Sequence, residues 1–244
     1  MSRSKKEVRL EKVTIEELGA EGKCISRVDG KVIFSTFTAP GDVVDLRLTK
    51  TKKNFAEAVV THIHEKSHLR VESFCAHFGT CGGCKLQHIG YDTQLFFKAK
   101  QVKDNLERIG KVALPEIMSI VGAASQTYYR NKLEYTFSDR RWLTIEEIRS
   151  EQEHKKDALG FHMPGVFDKV IDINHCYLQP DPSNAIRLSI KEFAQARNWP
   201  FFNLRNQNCF YLAIHNFVIK LWKAFTNKVF QTISTKNINI PVWM

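Results

Sequence analysis

Three thiols fall within ten residues of this chain, in Cys75-Ala76-His77-Phe78-Gly79-Thr80-Cys81-Gly82-Gly83-Cys84. This is the spacing of metal ligands. A short loop turns several sulfurs inward only if its backbone bends tightly, and Gly79, Gly82 and Gly83 permit such bends. A fourth thiolate would complete the set. Cys24, Cys176 and Cys209 are on offer, and Cys176 is best placed, in His175-Cys176-Tyr177-Leu178-Gln179-Pro180, a compact segment just ahead of a helix. Thiolates are soft ligands that serve zinc and iron–sulfur clusters alike, and on ligand type alone a structural zinc site ranks slightly ahead. A disulfide framework is disfavoured, because six cysteines in 244 residues with no secretory segment point to the reducing cytosol.

The run Cys-x5-Cys-x2-Cys with its Cys-Gly-Gly-Cys core, Gln87 three residues later and a distant fourth cysteine resembles the iron–sulfur motif of bacterial uracil-5 ribosomal RNA methyltransferases. The likeness runs roughly from residue 8 to residue 207. It implies that Cys75, Cys81, Cys84 and Cys176 hold a four-iron four-sulfur (4Fe–4S) cluster, which moves the assignment from zinc to iron–sulfur. It also implies a partner, large-subunit ribosomal RNA, and S-adenosylmethionine (SAM) as the methyl donor of a full-length family member.

The elements that must position these sulfurs are legible from pattern. Val28-Asp29-Gly30-Lys31-Val32 places Asp-Gly between apolar positions, a hairpin signal because both turn residues tolerate positive φ. Ala39-Pro40-Gly41-Asp42 is a second turn, after which Val44, Leu46 and Leu48 alternate with Asp45, Arg47 and Thr49 as in a half-buried strand. A basic turn, Lys50-Thr51-Lys52-Lys53-Asn54, precedes a last strand from Phe55 to Ile63. Five short strands predict a small closed barrel, with Cys24 packed inside a strand. The resemblance identifies this barrel as a TRAM domain, an oligonucleotide-binding barrel, and makes Lys50, Lys52 and Lys53 candidate phosphate contacts. Without it, a solvated hairpin tip is the better reading of those lysines.

Beyond the cysteine loop, Asp92 is a plausible cap for a helix in which Leu95, Ala99, Val102, Leu106 and Ile109 recur at helical spacing, ending at Gly110. That stripe is expected to be core and to seal the cluster from solvent. Residues 128–137 alternate charge with aromatics and read as a strand. One face of it would be free for RNA, with Arg130 and Lys132 as phosphate ligands and an aromatic to stack on a base. An amphipathic strand with solvated charges accounts for the same residues, and the likeness of Tyr-Arg-Asn-Lys to the family tilts the reading towards RNA. Thr144-Ile145-Glu146-Glu147 is a capping box opening a charged, exposed helix towards Lys156. Residues 160–173 read as strand, turn and strand leading to Cys176, with His162 and His175 flanking it, and Asp181-Pro182-Ser183-Asn184 starts a helix.

The expected fold class is therefore α+β: a TRAM barrel over residues 1–68, a mixed α/β iron–sulfur domain over 69–207, and a tail over 208–244. The net charge of +10 divides as +4 over residues 1–70, +1 over 71–200 and +5 over 201–244, so half of the excess lies near the C-terminal end. The remainder is mildly basic, compatible with a polyanionic partner. No stretch reaches the length of a membrane span, and neither a membrane nor an obligate protein partner is expected. The expected setting is cytoplasmic.

Methylating carbon five of uracil requires a thiolate that adds to carbon six, a base that removes the proton from carbon five, and a bound methyl donor. In the family these come from a doubly wound domain with a glycine-containing cofactor loop. The tail has no acidic residue and the chain no glycine after Gly165, so the sequence predicts no complete Rossmann-like methyltransferase domain and a truncated protein unable to methylate alone, with Cys209 a free thiol. Two other classes fit the same residues: a non-enzymatic RNA-binding protein, and a zinc-stabilised interaction module.

Overall fold

The computed structural model describes residues 7–150 and 152–203. The expectations for residues 208–244, including Cys209, lie outside the described residues. Two compact units make up the chain. The first holds residues up to Glu134 together with Met163–Gly165 and Ile173–Asn184, and the second holds Tyr135–His162, Val166–Asp172 and the residues from Ala185.

In the first unit, β1 (Arg9–Thr14), β2 (Glu17–Leu18), β3 (Lys23–Val28), β4 (Lys31–Thr36), β5 (Val43–Thr51) and β6 (Phe55–Glu65) form one sheet in the order β1-β5-β6-β4-β3-β2. The five strands expected from sequence become six because the first bends. β1 pairs with β5, the chain turns at Ile15 and Glu16, and β2 then pairs with β3, so one bent stave joins the two edges. Its corner is held by Ile15 N–H on the Asp42 carbonyl and Glu16 N–H on the Ile25 carbonyl. The hairpin between β3 and β4 turns at Asp29 and Gly30, with φ of 51° and 72°, the paired positive values of a type I′ turn. Alternation along β5 buries Val44 and Leu46, which join Ile15, Ile33, Cys24 and Ala56 in the core. Each fully buried aliphatic side chain here contributes about 1.5–3 kcal/mol.

The barrel also holds the cysteine loop in place. Leu86 and Ile89, just after Cys84, pack on its core. His88 is buried and its Nε2–H donates to the Thr38 carbonyl at 2.9 Å, while the Phe78 ring meets Phe37 edge-on at 5.6 Å. Burial keeps His88 neutral by lowering its pKa, against the opposing pull of the Thr38 carbonyl. Gly22 lets the loop approach closely: its φ is +73°, and a Cβ there would stand 2.8 Å from the Cβ of Lys85.

α1 (Tyr91–Asp104) continues as a π-turn over Asn105–Ile109 and stops at Gly110. Its N-cap is Gly90, and Asp92 lies in the first turn without capping it. The expected apolar stripe is not core. No residue of α1 is buried, and Ile109 is 79% exposed. The helix is instead held against the barrel by Phe97 on the core and by Lys100, which donates to Glu17 at 2.8 Å. Periodicity identified a helix but could not tell which face meets the barrel.

In the second unit, β7 (Thr136–Ser138), β8 (Ala158–Met163) and β9 (Val166–Asp172) form a three-stranded sheet. Ala158, Leu159, Val170, Ile171, Ala194 and Phe201 are buried in this unit. The strand expected over residues 128–137 shrinks to Thr136–Ser138. α2 (Ile145–Arg149) has the expected capping box of Thr144 and Glu147, but it ends at Arg149 instead of running towards Lys156. α3 (Ser183–Ala196) begins where Ser183 and Asn184 predicted. No helix among the described residues is long and apolar enough to cross a membrane.

Candidate functional site

All four expected ligands lie in the first unit. The loop winds tightly. Phe78 N–H donates to the Cys75 carbonyl and Cys81 N–H to the His77 carbonyl, with Gly79 at φ +88° between them. Of the three glycines expected to bend it, only Gly79 takes a positive φ. Gly83 serves differently, since its N–H donates to the Cys81 sulfur at 3.3 Å. Cys176 arrives on the segment after β9 and is buried. Its N–H donates to Asn184 Oδ1 at 2.9 Å and its carbonyl accepts from Asn184 Nδ2 at 3.0 Å, so one side chain clamps both sides of the residue. His77 Nε2 accepts the Asn174 N–H at 3.2 Å, fastening the incoming segment to the loop.

The sulfurs interact. Burial pushes the Cys81 thiol up to about 11, against the Gly83 N–H, and Cys84, Cys176 and Cys75 raise it further by charge. Cys84 is also raised by burial and by Cys176 and Cys75, while a hydrogen bond with Gln87 and the charge of Arg130 pull it down. Four thiolates in one neighbourhood repel one another, so deprotonating them together requires a cationic centre among them. Cys24 is apart from this set. It lies in the barrel core, its thiol donates to the Thr38 carbonyl at 3.0 Å, and burial raises it to about 11. Among the described residues no group of three or more His, Cys, Asp or Glu closes tightly enough to hold a single metal ion.

Lys50 near the end of β5 and Lys52 and Lys53 on the turn joining it to β6 are exposed, with no ion pair among the described residues. Arg130 is exposed and likewise without an ion pair, and its N–H donates to the Leu178 carbonyl. Lys132 pairs with Glu134 at 2.9 Å in full solvent, which makes it the weaker phosphate candidate. Residues 128–135 lie outside any strand because Tyr128 and Arg130 donate to Tyr177 and Leu178 instead of to a ladder partner. His175 bonds Tyr128, while His162 is exposed in the second unit. A cleft of about 870 Å³ opens beside Cys84, with Phe74, Gln87, Tyr91, Tyr129 and Tyr177 among its walls. Sequence reasoning missed the roles of Asn184, His77 and Gln87. The only local signal was Gln87, at a fixed offset from Cys84.

Residues 5–61 match the TRAM domain family. The chain is 49% identical over 191 residues to an uncharacterized RNA methyltransferase of Bacteroides thetaiotaomicron, covering 78% of this chain and 42% of that protein. An uncharacterized RNA methyltransferase of Clostridium acetobutylicum is 29% identical over 232 residues, covering 94% of this chain and 46% of that one. The structure of Pyrococcus abyssi tRNA (uracil-54, C5)-methyltransferase with S-adenosyl-L-homocysteine superposes with a TM-score of 0.51 at 24% identity, over 81% of this chain and 40% of that one, a likeness of fold.

These matches correct two expectations, that the protein has no methyltransferase domain and that the likeness ends near residue 207. A likeness of fold to part of a solved methyltransferase covers 81% of the chain, and an alignment covering 94% of it reaches beyond residue 207. The missing glycines were counted over a stretch that spans less than half the length of the relatives it matches, so the count does not bear on a cofactor loop elsewhere. The chain carries a TRAM domain and is similar to proteins named RNA methyltransferases, spanning less than half the length of these relatives.

Proposed function

We propose that this chain is the RNA-recognising and iron–sulfur portion of a uracil-5 RNA methyltransferase acting on large-subunit ribosomal RNA. The observation that carries the reading is the Asn174 N–H on His77 Nε2 at 3.2 Å, which ties the Cys176 segment to the loop of Cys75, Cys81 and Cys84, itself packed on a TRAM barrel. In this reading residues 1–68 hold the RNA backbone and residues 69–207 house the cluster. The donor set fits a cluster by its chemistry: four sulfurs, one accepting a backbone N–H, with a cation beside them. In a 4Fe–4S cluster each thiolate meets its own iron, so the sulfurs stand further apart than the tight tetrahedron that zinc demands. When bound, the cluster supplies a cationic centre that cross-links two distant parts of the chain. Asn184 and His77 orient the Cys176 segment, Gly83 and Gln87 place hydrogen bonds at Cys81 and Cys84, and the barrel holds the loop. The whole protein would take its methyl group from SAM, and a cytoplasmic setting suits unoxidised thiolates.

Iron, sulfide and zinc analysis of anaerobically purified protein tests the metal. About four irons per chain and visible absorption are expected. Stoichiometric zinc without colour would replace the reading by a zinc-stabilised module. RNA binding is tested by affinity against salt for a large-subunit ribosomal RNA fragment and for a transfer RNA. The ribosomal fragment should bind more tightly, and the reverse order would move the substrate to transfer RNA. Replacing Lys50, Lys52 and Lys53 together by Ala should flatten the slope of log affinity against log salt by roughly 2, at about 0.7 per lost phosphate contact. Lys132→Ala should change it little, because Glu134 already neutralises that charge.

A further inference from the structure

A group of aromatic rings beside the cysteine site has no part in holding a cluster. Phe74 meets Tyr177 edge-on at 5.0 Å, Tyr177 meets His175 at 4.5 Å, and Tyr128 lies 6.0 Å from Tyr177 and 6.3 Å from His175. All four belong to the first unit. Two of them are poorly covered, Phe74 at 48% and Tyr128 at 40% exposed, while His175 and Tyr177 are half-buried. In an edge-to-face pair the rim of one ring meets one face of the other, so each such contact occupies a single face and does not use the opposite one.

The arrangement is also fixed in place. Tyr128 has a φ of 56°, a conformation that bulky residues rarely adopt and that the surrounding structure must enforce. Here its N–H donates to the Tyr177 carbonyl at 2.7 Å, and its hydroxyl shares a hydrogen bond of 3.1 Å with His175 Nε2. Two residues on, Arg130 presents an exposed guanidinium with no ion pair among the described residues. Open aromatic faces with polar tips, next to a free cation, suit a planar, anionic polymer better than they suit an apolar protein surface.

We propose that Phe74, Tyr128, His175 and Tyr177 form a stacking platform for unpaired RNA bases, with Arg130 taking the adjoining phosphate. The inference rests on the RNA-binding reading above and adds to it how the RNA is gripped: through the flat faces of its bases, in a single-stranded stretch. Stacking is indifferent to base identity and to salt, so it separates experimentally from the lysine contacts.

The test uses the full chain and a labelled single-stranded oligoribonucleotide, alongside the same backbone with abasic sites. Wild type should bind the abasic strand roughly tenfold or more weakly than the intact one. Tyr128→Ala and Phe74→Ala should each weaken binding to the intact strand by roughly tenfold, with the salt slope unchanged, and should shrink the preference for bases. Tyr128→Phe, which keeps the ring, should retain that preference. Phe74→Leu serves if an alanine variant does not fold, since it keeps apolar volume and removes only the aromatic face. Variants that bind like wild type and still prefer the intact strand would overturn the platform while leaving RNA binding intact. A loss that appears only as a changed salt slope would overturn it as well. Wild type with no RNA affinity would overturn both readings, and would turn the patch towards a protein partner.

Discussion

If Cys75, Cys81, Cys84 and Cys176 hold the proposed cluster, replacing Cys176 by Ser should take iron from about four per chain to background and bleach the visible absorption. The other three cysteines are local neighbours in one loop, whereas Cys176 lies about ninety residues further along the chain, after β9, and is buried. A centre that joins Cys84 to Cys176 closes a long loop of chain. By loop-closure entropy such a clip is worth about 4 kcal/mol, so metal loss should be accompanied by a clear fall in thermal stability. Two controls isolate the effect. Cys24→Ala alters a thiol sunk in the barrel core and should leave the iron content unchanged. Asn184→Ala removes the clamp on Cys176 without removing a sulfur, and should lower iron occupancy less than Cys176→Ser does. A Cys176→Ser protein that kept full iron would remove the fourth ligand from the assignment.

The second large effect is expected at Asp42. This carboxylate is fully buried at the barrel turn and accepts from Ala39 N–H at 2.7 Å, Ser67 N–H at 2.9 Å, and both Nε and NH2 of Arg70 at 2.8 and 2.7 Å. Burial works against its ionised form, but the Arg70 guanidinium and the two backbone N–H groups outweigh it and hold the carboxyl below its usual range. Asp42→Asn offers one acceptor where four donors converge and leaves Arg70, 17% exposed, without its counter-charge. The expected cost is about 3–5 kcal/mol, or a fall in Tm of roughly 6–20 °C. Replacing Arg70 by Met in the same protein should recover part of it, because an uncharged pair leaves no stranded ion.

The same carboxylate gives stability a pH dependence of known sign. A group whose folded pKa is depressed contributes fully above its unfolded value, about 3.9 for Asp, and the contribution is lost as pH falls through the lower folded value. Denaturation followed from pH 7 downwards should therefore show the Asp42 contribution intact to about pH 4 and declining below it. Asp42→Asn should flatten that limb. An unaltered acid limb in the variant would mean that other carboxylates set it.

Local signals in this sequence proved dependable where the structure needs only local agreement. The Asp29-Gly30 turn, the alternation of Val44 and Leu46, the Thr144–Glu147 capping box and the start of the helix at Ser183 each depend on a few neighbouring residues. The misreadings share a different cause. The stripe of α1 was periodic, yet Val102, Leu106 and Ile109 face outward because the barrel takes Phe97 and Lys100 instead. Residues 128–135 had the alternation of a strand, but their N–H groups are claimed by Tyr177 and Leu178, nearly fifty positions away.

Residue types and spacing were enough by themselves to outline a small barrel and to single out Cys75, Cys81, Cys84 and Cys176 as candidate ligands, because backbone propensity and ligand chemistry are written within a few residues. Which groups serve those features was decided only when the chain folded. His77 accepting from Asn174, Arg70 neutralising Asp42 and the rings around Tyr177 are pairings between residues far apart in sequence. No periodicity encodes such pairings. They exist because a folded chain must satisfy every buried charge and N–H with whatever its tertiary packing brings within reach.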